Sequence, residues 1–149
     1  MRLLLMQQPV ATDLRTVSSA LKMISDLERI GDQAFDIADI TKNDSFRDFN
    51  GKIHIKEMAK AAIGMVTDSV DSYVNHDLEL AKKVGQEDDK VDALFIQVRK
   101  ELIDLIREDK EKSEQAFDLL MIAKYLERIG DHAVNVSEWV IYAITGEHA

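Results

Sequence analysis

The sequence predicts an all-α protein built from long antiparallel helices. Turn-forming residues are scarce, since the 149 residues include one proline and six glycines. Apolar residues recur at every third or fourth position over stretches of about 30 residues, which is the spacing of a helix with one buried face. Rods of that length, ~45 Å at 1.5 Å per residue, bury their apolar faces by packing side by side in a bundle.

The first predicted helix runs from Val10 to Ile40. Pro9 stands just before it, and Thr12 or Asp13 is a suitable start residue. The polar segment 41–51 loses the helical spacing, so we expect it to be a loop and the main boundary in the chain. The apolar positions of this helix are Leu14, Val17, Leu21, Ile24, Leu27, Ala34 and Ala38.

Three further helices are predicted after the loop. The second starts at Ile53 and ends before Asp77, which is well placed to cap the third. The third helix runs to about Glu108. Ser113 is expected to cap the fourth, which ends at Gly146, because a glycine commonly closes a helix.

The composition narrows the class of protein. A formal net charge of −9 argues against nucleic acid as a partner, because nucleic-acid binders present surfaces rich in lysine and arginine. The chain has no cysteine, which excludes disulfides, thiolate metal sites and cysteine nucleophiles, and nothing indicates an oxidising compartment. No stretch approaches the ~18 apolar residues of a membrane span. We therefore expect a cytoplasmic protein that is at most peripheral to a membrane.

A ten-residue element occurs twice. The segment LERIGDQAFD at 27–36 recurs as LERIGDHAVN at 126–135, 99 positions later by subtraction of 27 from 126. A three-helix unit counted back from the second copy is complete only from Ile53 to Thr145, so the first unit lacks its beginning. The chain is therefore interpreted as truncated, and the helix from Val10 to Ile40 is expected to leave an apolar arc uncovered.

Acidic side chains form ribbons along the predicted helices. Members four residues apart share one face and are separated by ~6 Å along the helix. Like charges at this spacing disfavour a helix, and burying them unpaired costs more, so a cation is expected to offset them. Oxygen ligands suit hard ions such as magnesium, manganese, calcium or iron. The ribbons are Glu28, Asp32 and Asp36 on the first helix, Asp88 and Asp92 on the third, and Glu127, Asp131 and Asn135 on the fourth.

The two later ribbons are predicted to form one site. Asp88 and Asp92 lie near the middle of the third helix, and Glu127 and Asp131 lie near the middle of the fourth. Because antiparallel neighbours meet middle to middle, these four carboxylates are expected to face each other, with Asn135 at the edge. The alternative is a solvated acidic face that water and neighbouring arginines screen.

The repeat also places one glycine in the middle of each helix that carries it. Gly31 and Gly130 each cost about 1 kcal/mol relative to alanine, which is tolerable where helix backbones must approach closely. The ribbon that starts at Glu28 borders the apolar arc of its helix, so a neighbouring helix is expected to begin covering it.

These residues resemble the PhoU family along the whole chain. The duplicated LERIGD element, followed four residues later by an acidic or amide residue, is the most specific part of the resemblance. The matching segments are Gln8 to Arg15, Leu27 to Asp32, Asp88 to Asp92, Leu126 to Asn135, and Glu138 to Tyr142 with Gly146.

The resemblance implies PhoU-like tandem three-helix bundles with the first bundle truncated. Residues 1–42 would be a remnant of the first repeat, comprising the end of its second helix and its third helix, and residues 51–146 a complete second repeat. Family metal sites use E(D)xxxD motifs, and the ions considered are iron, zinc, magnesium, manganese and calcium. These motifs match Asp88 with Asp92, Glu28 with Asp32, and Glu127 with Asp131, while Asp36 and Asn135 match the polar position that follows.

The resemblance also implies a function. PhoU proteins accompany the phosphate ABC transporter and hold the phosphate-starvation response off when phosphate is plentiful. The implied partners are the transporter ATPase, a sensor histidine kinase and a second copy in a homodimer. No catalytic centre is expected, because no nucleophile–base pair or phosphate-binding glycine loop is found.

Two other functions remain as alternatives. One is the PhoU-like cytoplasmic domain of a sodium–phosphate cotransporter. The other is a carboxylate-bridged metalloenzyme, which usually needs histidine ligands; no glutamate is followed three residues later by histidine.

Overall fold

The computed structural model describes residues 2–42 and 53–147, with side chains from Val10 onward. It contains four helices and no strand within those ranges, which confirms the all-α prediction. The helices are α1 (Arg2–Ile40), α2 (Ile55–Val74), α3 (Leu78–Glu108) and α4 (Ser113–Thr145). None of the described helices combines the length and apolar character needed to cross a membrane.

Helix α1 begins earlier than the sequence predicted. It is continuous from Arg2 to Ile40, so residues 2–8, expected as the end of a separate helix, belong to the same rod. Pro9 has no N–H to donate to the carbonyl of residue 5. The helix nevertheless continues on both sides of Pro9, since a proline removes only one of the backbone hydrogen bonds of a helix. Thr12 does not start the helix; its carbonyl accepts a bond from the Thr16 hydroxyl at 2.9 Å. The predicted loop at 41–51 lies mostly outside the described residues.

The short link between α2 and α3 matches its prediction. Asp77 caps α3, because its Oδ1 accepts from the Leu80 N–H at 3.1 Å. His76 has a φ of 49°, which turns the chain between the two helices. The two helices therefore run in opposite directions, and the prediction of Asp77 as the N-cap is confirmed.

The link between α3 and α4 differs from its prediction. Ser113 is the first residue of α4, not its cap, and its hydroxyl donates to the Lys110 carbonyl at 2.6 Å. A short 3-10 helix, Lys110–Lys112, precedes α4, and Asp109 caps it by accepting from the Glu111 N–H at 3.1 Å. Helix α4 itself starts after Lys112 without a side-chain cap. At the other end, Gly146 closes α4 with a φ of 80°, as predicted.

Helices α2, α3 and α4 form an antiparallel bundle around one core. The core is closely filled along α3 by Val84, Val91 and Val98, which have no exposed surface. Methionines Met58 and Met65 of α2 pack against them. Glu101 of α3 holds the start of α2 in place. Its Oε1 accepts a hydrogen bond from the backbone N–H of His54, just before α2, at 3.0 Å.

Helix α1 lies outside this bundle and packs on α4. Met23 is buried against Val136 and Val140, and Ile30 and Ile37 pack on the main core farther along. Helix α4 thus contacts all three other helices. The opposite face of α1 is uncovered, as the sequence predicted: the exposed large apolar side chains are Val10, Leu14, Val17, Leu21, Ile24, Leu27 and Phe35.

Candidate functional site

Four carboxylates meet where the middle of α3 lies against the middle of α4. Asp88 and Asp92 stand one helical turn apart on α3, and Glu127 and Asp131 stand one turn apart on α4. Their charges interact: burial is the main cause of the raised pKa of Asp88, and Asp92, Asp131 and Glu127 raise it further. The structure thus brings the two predicted ribbons together; we call Asp88, Asp92, Glu127 and Asp131 the carboxylate cluster.

Asp88 is the innermost member of the carboxylate cluster. Its Oδ1 is buried and has no hydrogen-bond partner among the described atoms. Burial is the main reason that the pKa of Asp88 rises to about 6, and the neighbouring carboxylates add to the shift. This oxygen therefore carries a charge that neither water nor a protein donor compensates well.

The backbone of α4 approaches Asp88 at Gly130. A methyl group at Gly130 would lie 3.5 Å from Asp88 Oδ1, 3.5 Å from the Met65 sulfur and 3.7 Å from Val91 Cγ1. These are ordinary van der Waals distances, so α4 packs closely on α2 and α3 beside the buried oxygen, and a methyl group at this position would fill the remaining space. The predicted close approach is confirmed for Gly130.

The other two aspartates of the cluster sit nearer to solvent. The pKa of Asp92 is raised by partial burial and by Glu127 and Asp89. Asp131 is exposed on its outer side, yet partial loss of hydration, then Glu127 and Asp92, raise its pKa as well. All three aspartates are therefore shifted toward the neutral form, chiefly by burial and further by the like charges held close to them.

Lys124 provides a positive charge beside the carboxylate cluster. Its Nζ lies 2.7 Å from Glu127 Oε1, and the Glu127 side chain is only 18% exposed. Lys124 lowers the pKa of Asp92 and Asp131, but these pKa values remain raised overall. Arg128 does not take this role, because its guanidinium lies over the Tyr125 ring, 5.8 Å from the centroid. Lys124, with His132 beside Asp131, therefore offsets the four carboxylates only in part.

The side chains of the carboxylate cluster are suitable metal ligands, but their oxygens are too far apart to hold an ion as they stand. Within residues 10–42 and 53–147, no group of three or more histidine, cysteine or acidic side chains is spaced to hold an ion as it stands. The buried, unpaired Asp88 oxygen and the shared negative charge nevertheless meet the chemical requirement for a cation with oxygen ligands. A cation would therefore have to draw the carboxylates inward by rotation of their side chains.

Asn135 is turned toward α1. Its Nδ2 donates to Asp26 Oδ1 at 3.3 Å, and His132 Nδ1 lies 3.1 Å from the same oxygen. Asp26 and His132 are mostly buried, so this contact ties α1 to α4. Instead of lying free at the edge of the carboxylate cluster, Asn135 belongs to this α1–α4 contact.

Within the described residues, no helix lies beside the ribbon on α1. Glu28 and Asp32 are exposed, and Asp36 is partly buried. Nothing in the described structure lies within 4 Å of a methyl group placed on Gly31, so the close approach predicted there is wrong. The expected covering of this ribbon by a neighbouring helix is also wrong within the described residues, because α1 packs on α4 through a different face.

Sequence analysis missed the contacts that depend on how α1 packs. Asp26 precedes the first LERIGD element, and its counterpart in the second copy is Tyr125, so the repeat gave no indication of its role. His132 was given no role in the sequence analysis. Lys124 could have been found, because it stands three residues before Glu127 on the same helix face.

Comparisons with known proteins agree on one family. The PhoU domain family matches residues 1–41 and 55–140. The chain is 44% identical to the "Phosphate-specific transport system accessory protein PhoU homolog" of Clostridium acetobutylicum, covering 98% of this chain and 68% of that protein. It is 35% identical to the protein of the same description from Pseudomonas putida, covering 97% of this chain and 57% of that protein.

Solved structures give the same result. The crystal structure of PhoU from Pseudomonas aeruginosa superposes with a TM-score of 0.83 at 33% identity, over 98% of this chain and 71% of that one. The PhoU regulatory protein of Streptococcus pneumoniae gives a TM-score of 0.81 at 28% identity, over 93% of this chain and 66% of that one. The chain thus spans roughly three-fifths to two-thirds of the curated relatives described above. From the family match, the sequence identities and the shared fold together, this chain belongs to the PhoU family.

Proposed function

We propose that this chain is a metal-binding regulatory adaptor of phosphate uptake. Its relatives are described as accessory proteins of phosphate-specific transport systems, which supports a role beside such a transporter. The observation that carries metal binding is the carboxylate cluster, with its buried and unpaired Asp88 oxygen. The adaptor acts in the cytoplasm as a negative regulator of the phosphate-starvation response.

The proposed partners are proteins. They are the ATPase of the phosphate ABC transporter, a sensor histidine kinase and a second copy of the chain. The net charge of −9 favours basic protein surfaces over nucleic acid. The relatives' description as transport accessory proteins favours this function over a cotransporter domain, and no catalytic step is proposed.

Asp88, Asp92, Glu127 and Asp131 would hold the ion. A bound cation would neutralise charges that now repel one another across α3 and α4. Oxygen donors favour magnesium, manganese, calcium or iron, with zinc less suited to an oxygen-only set. The proposal leaves the Glu28, Asp32 and Asp36 ribbon as a second, incomplete metal-binding surface, because no described side chain faces it from another helix.

A melting experiment tests metal binding directly. Because an ion that binds only the folded state stabilises it by mass action, the melting temperature should rise with the concentration of added manganese or magnesium. A Glu127→Gln, Asp131→Asn double variant should lose that response. An Asp68→Asn, Asp71→Asn double variant on α2 is the matched control and should respond like the wild type. If neither manganese nor magnesium changes the melting temperature of the wild type, the cluster is only a solvated acidic face.

A reporter experiment tests regulation. In bacteria whose own PhoU gene is deleted, expression of this chain should lower a phosphate-starvation reporter in phosphate-rich medium. The Glu127→Gln, Asp131→Asn variant should repress it less at equal protein level. If the wild-type chain leaves the reporter fully active while it is folded and abundant, the proposed regulatory role is wrong for this chain.

A further inference from the structure

The outer side of α3, toward its C-terminal end, combines exposed isoleucines with basic side chains. Each of these residues lies three, four or seven positions from another, so they share one side of the helix. The set, which we call the α3 face, consists of Ile96, Arg99, Lys100, Ile103 and Arg107. Val98 and Leu102, from the same stretch, are buried in the bundle core on the opposite side.

The isoleucines of the α3 face are open to solvent. Ile96 is 66% exposed and Ile103 is 38% exposed. An open pocket of about 320 Å³ lies beside them, and the described residues that line it are the α3 face and Asp104. Helix α1 packs mainly on α4, so these isoleucines belong to a surface separate from the uncovered side of α1.

The α3 face is positively charged, although the chain as a whole has a net charge of −9. Arg99 and Lys100 form no ion pair with any described residue. Arg107 lies 4.0 Å from Asp104, but their side chains are 78% and 64% exposed, so this pair neutralises little. Glu101 is turned toward α2, where it accepts from the backbone N–H just before that helix. The outer side of this stretch therefore presents three basic groups and one carboxylate.

We propose that the α3 face binds an acidic segment of a partner protein. The two isoleucines are seven residues apart, about 10 Å along the helix, so the segment would carry apolar side chains at a similar separation. Its carboxylates would pair with the three basic side chains of the face. This inference rests on the proposed adaptor function only in assuming a protein partner. Its test uses neither a metal ion nor the phosphate-starvation response, so the two can fail independently.

The charge pattern favours a narrow protein segment over a membrane. At physiological ionic strength, charges more than about 8 Å apart are largely screened, so a single segment on the α3 face would interact mainly with its basic groups. Asp89 and Asp92, seven and four residues before Ile96, lie on the same side of α3. A flat anionic membrane lying along the helix would also meet these carboxylates and would be repelled by them.

Binding of a designed peptide to the full-length chain tests the proposal. The probe is a fluorescein-labelled helical peptide with two leucines seven residues apart and glutamates on either side of each. We expect a dissociation constant of roughly 10–500 µM, because the contact is small, and weaker binding as salt is added. In NMR titrations the methyl signals of Ile96 and Ile103 should shift, whereas those of Leu14 and Leu21 on α1 should not.

Matched variants separate the contributions of charge and apolar contact. Lys100→Glu should raise the dissociation constant about fivefold or more, because it places like charges opposite each other. Lys82→Glu makes the same change at another exposed position of α3 and should bind like the wild type. Ile96→Ser should also weaken binding, whereas Ile63→Ser, at a similarly exposed isoleucine of α2, should not.

Each outcome decides the proposal. Absence of saturable binding at millimolar peptide, or methyl shifts on α1 in place of α3, would overturn it. So would an equal loss of binding in Lys100→Glu and Lys82→Glu, or equally tight binding of a peptide whose glutamates are replaced by glutamines. If the chain sediments with phosphatidylglycerol vesicles but not with phosphatidylcholine vesicles, and does not bind the peptide, the α3 face is a membrane site and the proposal is wrong.

Discussion

Replacing Asp88 by asparagine should stabilise the metal-free protein at neutral pH. The change removes a charge while keeping nearly the same shape. Folding raises the pKa of this carboxyl from 3.8 to about 6. A shift of about two units corresponds to ~3 kcal/mol in full. Part of the side chain is still hydrated, and solvent screening reduces the figure to about 1–2 kcal/mol.

The sign of this effect depends on pH. A carboxyl whose pKa is raised by folding binds more protons in the folded state than in the unfolded state between pH 3.8 and about 6. The stability of the wild type therefore falls as the pH rises through that window, and the full penalty is present above it. Asp88→Asn should raise the free energy of unfolding at pH 7.5 by about 1–2 kcal/mol, and by clearly less at pH 5.

Thermal melts in excess chelator measure the difference. For a chain of this size the gain corresponds to a rise in Tm of roughly 2–8 °C at pH 7.5. Asp71→Asn, at an exposed aspartate of α2, is the matched control and should show no such pH-dependent gain. A lower Tm for Asp88→Asn at pH 7.5, or an equal gain at both pH values, would refute the argument from burial and charge repulsion.

Three other contacts give separate predictions. Asp26→Ala should cost about 1–3 kcal/mol, because its two partners on α4 lose their hydrogen bonds, and hydrogen exchange should speed up in α1 more than in α3. Gly31→Ala should stabilise by about 0.5–1 kcal/mol because its surroundings are open, whereas Gly130→Leu should lower the Tm because it must displace the close packing there. The pKa of His54 is raised, chiefly by its hydrogen bond to Glu101. The contribution of His54 to stability is therefore present below its unfolded pKa and lost as the pH rises through the raised value. NMR titration should show the His54 pKa falling in a Glu101→Gln variant, and an unchanged value would contradict the assignment of the cause.

The helices could be predicted from sequence wherever their ends are set by neighbouring residues. Asp77 and Gly146 act within one turn of their own positions, so residue type and spacing were enough to place them. The prediction of Ser113 as a cap was wrong because the 3-10 helix Lys110–Lys112 precedes α4, and Asp109 caps that helix while α4 starts without a side-chain cap. The start of α1 was wrong because a proline favours a helix start without excluding a helix on both sides.

The candidate site was also predicted only in part. The pairing of Asp88 and Asp92 with Glu127 and Asp131 followed from helix spacing and from the antiparallel order of adjacent helices. The contact of Asp26 with His132 and Asn135 of α4 could not be predicted, because it depends on which face of α1 packs on α4. That the apolar face of α1 stays exposed did follow from the sequence, because the repeat showed that the first three-helix unit is incomplete.

The pairing of α1 with α4 joins parts of the chain that are far apart in sequence. Asp26 and His132, which meet across it, are 106 positions apart. Contacts among α2, α3 and α4 close much shorter loops, and short loops form faster and at a smaller entropic cost. We therefore expect α1 to dock last during folding and to detach first when the molecule opens. Since the carboxylate cluster lies between α3 and α4, it should remain assembled while α1 is released.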